Sequence, residues 1–167
     1  MPKGNYIVIP EVSSETRKYV PIGFMTPDVM CSNLVKIMPG ATLYHFGILT
    51  SSMHMTWMRY VCGRMKSDYR YSSGIVYNNY PWPNVTIDSI KIIEERAKAV
   101  LDARGMYPNS SLADLYDVRT MPIELIKAHD MLNEAVEKAY CEKGLSTDEE
   151  RISVLFKAYE EATKNVS

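Results

Sequence analysis

No apolar run in this 167-residue chain approaches the length needed to span a bilayer, and its opening residues, MPKGNYIVIP, are no signal peptide. A cytoplasmic protein with no membrane partner is the expectation. Cysteine is scarce: Cys31, Cys62 and Cys141 are odd in number and far apart. They point to reduced, packed thiols rather than a disulfide frame. Neither they nor His45, His54 and His129 fall at a metal-ligand spacing, so no metal is expected. The eight glycines are scattered, and there is no internal repeat or low-complexity tract. What remains is an ordinary globular composition, 46% hydrophobic and 23% charged. The length suffices for one sizeable core or for two small modules sharing a boundary.

The net charge of −1 conceals an asymmetry. Residues 1–85 hold eight Lys and Arg against four Asp and Glu, a balance of +4; residues 86–167 hold eleven against sixteen, a balance of −5. A basic half joined to an acidic half directs any polyanion to the first. From Leu43 to Pro83, His54, Arg59, Arg64, Lys66 and Arg70 stand among Tyr44, Trp57, Tyr60, Tyr69, Tyr71, Tyr77, Tyr80 and Trp82. Cations interleaved with aromatic and hydroxyl side chains suit the holding of phosphates and the probing of base edges.

The pattern predicts an α+β protein: a small mixed α/β part over 1–85, followed by a helical bundle over 86–167. Tyr6 to Ile9, Lys18 to Met25 and Asn33 to Met38 read as strands, the last stopped by Pro39 and Gly40. Thr42 opens a helix through Leu49, and Ser51 with Ser52 interrupts it and can cap a second helix from Met53 to Met65. Ser72 to Gly74 reads as a loop, Ile75 to Tyr77 as a short strand, and Asn78 to Pro83 as a rigid exit. Beyond it come helices over Asp88 to Arg104, from Pro122 to Cys141, and from Thr147 to Thr163, with a short turn at Ser111 to Tyr116. Thr147 to Glu150 has the capping-box spacing.

Several strings carry a resemblance. YHFGILTSSMHMTWMR, CGRMKSDYRYS and IVYNNYPWP resemble the target-recognition region of the MmeI-like type IIL restriction–modification enzymes. LDAR at Leu101 to Arg104, SLADLYD at Ser111 to Asp117 and MPIELIKAH at Met121 to His129 resemble the helical segment that closes the same proteins. The similarity runs from about Ser14 onward. It implies a DNA target-recognition part followed by a C-terminal helical domain. The expected parent is an adenine-N6 DNA methyltransferase of bacterial defence, with or without a nuclease. Its cofactor would be S-adenosylmethionine. The expected partners are double-stranded DNA and the catalytic domain of the same polypeptide. The chain itself departs from the parent's pattern. It lacks the Asn/Asp-Pro-Pro-Tyr/Phe motif that holds an extruded adenine, the glycine loop for the cofactor and a nuclease cluster. It is therefore expected to bind no cofactor and catalyse nothing, and to be a piece of the larger enzyme.

Each candidate DNA contact has a plainer reading beside it. Ser51, Ser52 and His54 sit at a helix start, where free N–H groups suit phosphate; alternatively the serines cap the helix and His54 is a surface residue. Arg59, Arg64, Lys66 and Arg70 can grip phosphate or guanine; alternatively Arg64 and Arg70 pair with Asp68 or with carboxylates of the helical half. Asp68 suits a cytosine amino group or the orienting of an arginine. Tyr69, Tyr71 and the methionines are expected in the core, and Asn78 and Asn79 in a turn. Trp82 is expected to plug the helical half onto the first. A different class of function stays open: a basic aromatic surface that docks on the methyltransferase domain and never meets DNA.

Overall fold

Hydrophobic Tyr6 to Ile9 make β1 (Tyr6–Pro10), fully buried over those four residues, and such a strand needs a neighbour on each edge. The computed structural model, which describes residues 2–164, gives it both. With β3 (Gly23–Met25) and β4 (Val35–Pro39) it forms an antiparallel sheet in the order β3-β1-β4, Ile7 lying opposite Phe24 and Met38. The expected strand from Lys18 is thus confined to its last three residues. After Pro10 the chain passes into a second antiparallel sheet, β2-β6-β5, built from β2 (Val12–Ser13), β5 (Gly63–Met65) and β6 (Asp68–Arg70). Glu11 serves both sheets: its N–H donates to the Leu34 carbonyl and its carbonyl accepts from Tyr71 N–H.

Between the strands of these sheets run α1 (Leu43–Thr50) and α2 (Ser52–Val61). Ser51 divides them, its hydroxyl donating to the Ile48 carbonyl at 2.7 Å and accepting from His54 N–H. The sequence pattern carries the second helix on to Met65, but it stops at Val61. Gly63 weakens a helix, and Arg64 and Met65 instead pair across a hairpin with Tyr69 and Asp68. Residues 73–77, expected as loop and strand, form a single wide helical turn in which Asn78 N–H bonds the Ser73 carbonyl five residues back. The width places Val76 in the core and turns its carbonyl to the Trp57 indole, 3.0 Å away. Asn79 closes the turn on the Gly74 and Ile75 carbonyls, the role expected of it.

The helical half comprises α3 (Ile87–Gly105), α4 (Leu112–Leu115), α5 (Ile123–Tyr140) and α6 (Asp148–Lys164). Thr86 caps α3, and the Thr147 to Glu150 capping box opens α6 as expected. One hydrophobic core spans both halves, joining Phe46, Leu49 and Met58 to Ile93, Val100, Leu132 and Leu155. The two halves approach closely at Gly47 of α1, where a Cβ would stand 2.8 Å from Ile93 and 3.2 Å from Ala97 of α3. Trp82 packs on Tyr44, His45, Tyr77 and Tyr80 of the first half. The docking is completed by Tyr140 of α5, whose hydroxyl donates to the Pro81 carbonyl and can accept from the Tyr80 hydroxyl, each 2.8 Å away. The architecture is α+β, with the helices gathered at the C-terminal end. Among the described residues no helix is long and apolar enough to cross a membrane.

Candidate nucleic-acid interface

The seven residues singled out from the sequence separate into three places. Ser51 and His54 are fully buried. The His54 Nδ1 lies 2.8 Å from the Leu49 carbonyl, which can only accept, so Nδ1 carries the proton and Nε2 accepts from the Tyr71 hydroxyl at 3.0 Å. Burial holds its pKa down at about 4, against the opposing pull of the Leu49 carbonyl. A neutral imidazole with both nitrogens engaged inside the core touches no groove, and it is not the surface residue of the plainer reading either. Ser51 likewise spends its hydroxyl on the helix junction.

Ser52 and Arg59 face the helical half. Ser52 N–H donates to Asn133 Oδ1 at 2.8 Å and its hydroxyl to Glu137 Oε1 at 2.7 Å, so α5 supplies the acceptors for this helix start. Arg59 divides its guanidinium between the Lys18 carbonyl, 2.8 Å away, and Asp148 Oδ2, 3.4 Å away. These groups border a cleft of about 590 Å3 that also includes Tyr19, Asp130 and Arg151. Its cations and carboxylates largely satisfy one another: Arg151 bonds Glu137 and Asp148, and Lys18 lies 3.7 Å from Asp130. The sequence offered no local signal for this seam, because the partners of Ser52 and Arg59 are all remote along the chain.

Arg64, Lys66 and Arg70 are exposed together on the β5–β6 hairpin. Strand alternation sorts its side chains, with Tyr69 buried and Arg70 beside it outward. Arg64 lies 4.1 Å over the Tyr69 ring, donates to the Ser67 carbonyl at 2.7 Å and stands 3.7 Å from Glu15. Among the described residues it pairs with neither Asp68 nor the helical half. Lys66 occupies the two-residue turn between Met65 and Asp68 with φ +57°, a left-handed backbone that a lysine seldom adopts. Among the described residues neither Lys66 nor Arg70 makes an ion pair within 4.0 Å. Arg70 borders a cleft of about 330 Å3 lined by Glu11, Lys36, Gly63, Ser72 and Ser73, in which Glu11 is ion-paired to Lys36. That pair and the nearby Arg70 charge hold the Glu11 carboxyl below its ordinary range. Asp68 accepts from Glu15 N–H at 3.4 Å. Sequence reasoning passed over Glu11, Glu15 and Lys36, which meet the hairpin from positions far back in the chain.

Comparison with known proteins agrees with the architecture. The family model for the MmeI target recognition domain matches residues 1–84, and that for the MmeI C-terminal domain matches residues 87–167. DNA methyltransferase A of Bacillus subtilis (strain 168) is 47% identical over 161 residues, covering 96% of this chain and 18% of that protein. The solved structure of the type IIL restriction–modification enzyme MmeI in complex with DNA superimposes with a TM-score of 0.94 at 48% identity, over 98% of this chain and 22% of that one. The chain thus spans about a fifth of the length of these relatives. It belongs to the MmeI family, as a target recognition domain joined to the C-terminal domain of that family.

Proposed function

We propose that this chain reads DNA for a methyltransferase of a restriction–modification system, and that the β5–β6 hairpin is the surface that meets the duplex. The observation that carries the proposal is the exposed cluster of Arg64, Lys66 and Arg70, with Lys66 at the tip in a left-handed backbone. Non-glycine residues held in that region cluster where function demands a particular side chain. The relative solved with DNA has the same fold, which supports bringing its ligand to this one. Of the other proposed contacts, Ser51, Ser52, His54 and Arg59 are already engaged within the protein, and their contribution is to hold α2 in place.

Adenine-N6 methylation belongs, in this proposal, to a catalytic domain elsewhere in the parent polypeptide, together with S-adenosylmethionine. The residues present do not fit that cofactor. The one glycine between a strand and a helix, Gly40, has open space around its missing Cβ, and the helix that follows is capped by its own Thr42 and His45.

The test is duplex binding across salt concentrations. Neutralised phosphates release counterions, so the wild-type affinity should fall steeply as salt rises, and Lys66→Ala and Arg70→Ala should each weaken binding and flatten the log–log slope by about one. Binding that ignores salt, or variants that bind as wild type, would refute the proposal. A second reading draws on the exposed Met30, Leu34 and Ile37 near the β4 edge: this half packs on the catalytic domain. It predicts that substitutions there, and not on the hairpin, impair the parent enzyme.

A further inference from the structure

Segment 14–20 lies between the hairpin and the helical half and is held at both ends. At the hairpin end, Glu15 N–H donates to Asp68 Oδ1 at 3.4 Å and the Glu15 carboxylate stands 3.7 Å from Arg64. Three residues on, the Lys18 carbonyl accepts from Arg59 Nη2 at 2.8 Å. The next residue, Tyr19, is buried, and its hydroxyl accepts from Asn133 Nδ2 at 2.7 Å. Arg59 is itself fixed by Asp148 at the start of α6, and Asp148 also accepts from Thr56 and Arg151 at 3.0 and 2.9 Å. A chain of polar contacts thus leads from α5 and α6 through Arg59 to segment 14–20, and from there to the hairpin. A guanidinium suits the junction because its planar fork directs N–H groups at two acceptors at once.

We infer that Arg59, anchored by Asp148, is a positioning residue for the hairpin: it sets segment 14–20 so that Glu15 braces Asp68 and Arg64. It acts on DNA recognition through the hairpin and touches no DNA. The inference rests on the reading of the hairpin as the DNA-contacting surface, but the bracing itself is independent of that reading.

The variants Arg59→Lys and Asp148→Asn, made in the full chain, separate the alternatives. Lysine keeps the charge and loses the fork, so a phosphate contact would survive the change and the bridge would not. Two measurements are made: amide hydrogen exchange, and affinity for a duplex of about 20 base pairs as salt is varied. Exchange should quicken in segments 14–20 and 63–70 in both variants while α3 and α5 keep wild-type protection. Affinity should fall about tenfold, the scale of one charge-assisted hydrogen bond. The salt slope should remain that of wild type, since no phosphate contact is lost. Unchanged exchange in the hairpin overturns the inference, and so does a uniform rise that includes α3 and α5. Wild-type binding by Arg59→Lys alongside a flattened slope in Arg59→Ala overturns it too, by making Arg59 a phosphate contact. If exchange quickens as expected but the wild-type chain does not bind the duplex, the bracing stands and the DNA reading of the hairpin fails. Should Asp148→Asn fail to fold, Arg59→Lys decides alone.

Discussion

His54 and His129 show how differently a residue behaves once its surroundings are known. Each is buried and neutral. Burial is the leading cause for both, and the Arg104 and Lys18 charges add to it at His129, whose pKa lies well below the ordinary value. Tyr116 accepts from Arg104 at its hydroxyl and therefore gives its own proton to His129 Nε2, 2.7 Å away, which leaves the imidazole no free lone pair for a second proton. The pH consequence follows from proton counting. Above the unfolded value of about 6.5, neither state binds a proton at these sites. Below it the unfolded chain takes up protons that the folded chain refuses, so stability falls as pH drops, down to the folded value of about 4 for His54. Urea unfolding at pH 7 and pH 5 should show a loss of about 2 kcal/mol for His54 alone. Equal stability at the two pH values would contradict the neutral buried pair. None of this was legible locally. The sequence placed His54 correctly after a helix break, but its acceptor and its donor are Leu49 and Tyr71, and only the fold brings Tyr71 to the ring.

At the scale of elements, the long helices were readable because their signals are local: Thr147 with Glu150 three residues on, and apolar positions at helical spacing. The β5–β6 hairpin was not, because each of its strands is three residues long and its other neighbours, Val12 and Ser13, lie far back in the chain. The crossing of α1 over α3 is similarly hidden in a single Gly47. A Cβ there would lie 2.8 Å from the Ile93 Cγ2, inside any real contact distance, with Ala97 and Leu132 closing the other sides. Gly47→Ala, ordinarily a helix-stabilising change, should here force the two helices apart and cost about 1–3 kcal/mol. A lowered thermal midpoint with unchanged helical circular dichroism would be the sign of it. A raised midpoint would show that the crossing has slack.

For the molecule as a whole, the change of composition after Pro83 suggested two modules, and the family matches meet near the same point. The core makes no such division: Phe46, Ile48 and Leu49 pack in one cluster with Ile93, Ala97 and Leu132, and α5 supplies the acceptors for Ser52. We expect the boundary at residue 85 to be one of sequence and not of folding. Residues 1–85 expressed alone should lack a cooperative thermal transition and fixed near-ultraviolet dichroism, whereas the full chain should show both. A sharply melting 1–85 fragment would restore two independent modules.

The shared core also sets a timetable for the ribosome. Strands and helices of the first half are made first, yet Phe46 and Leu49 share their core with residues of α3 and α5, and α5 ends only at Tyr140. At ordinary rates of synthesis, about 5–20 residues per second, the nascent first half waits several seconds with its apolar helix faces uncovered. Its native packing therefore cannot be completed before Tyr140 has left the exit tunnel, and any stall within α3 or α5 leaves an aggregation-prone chain.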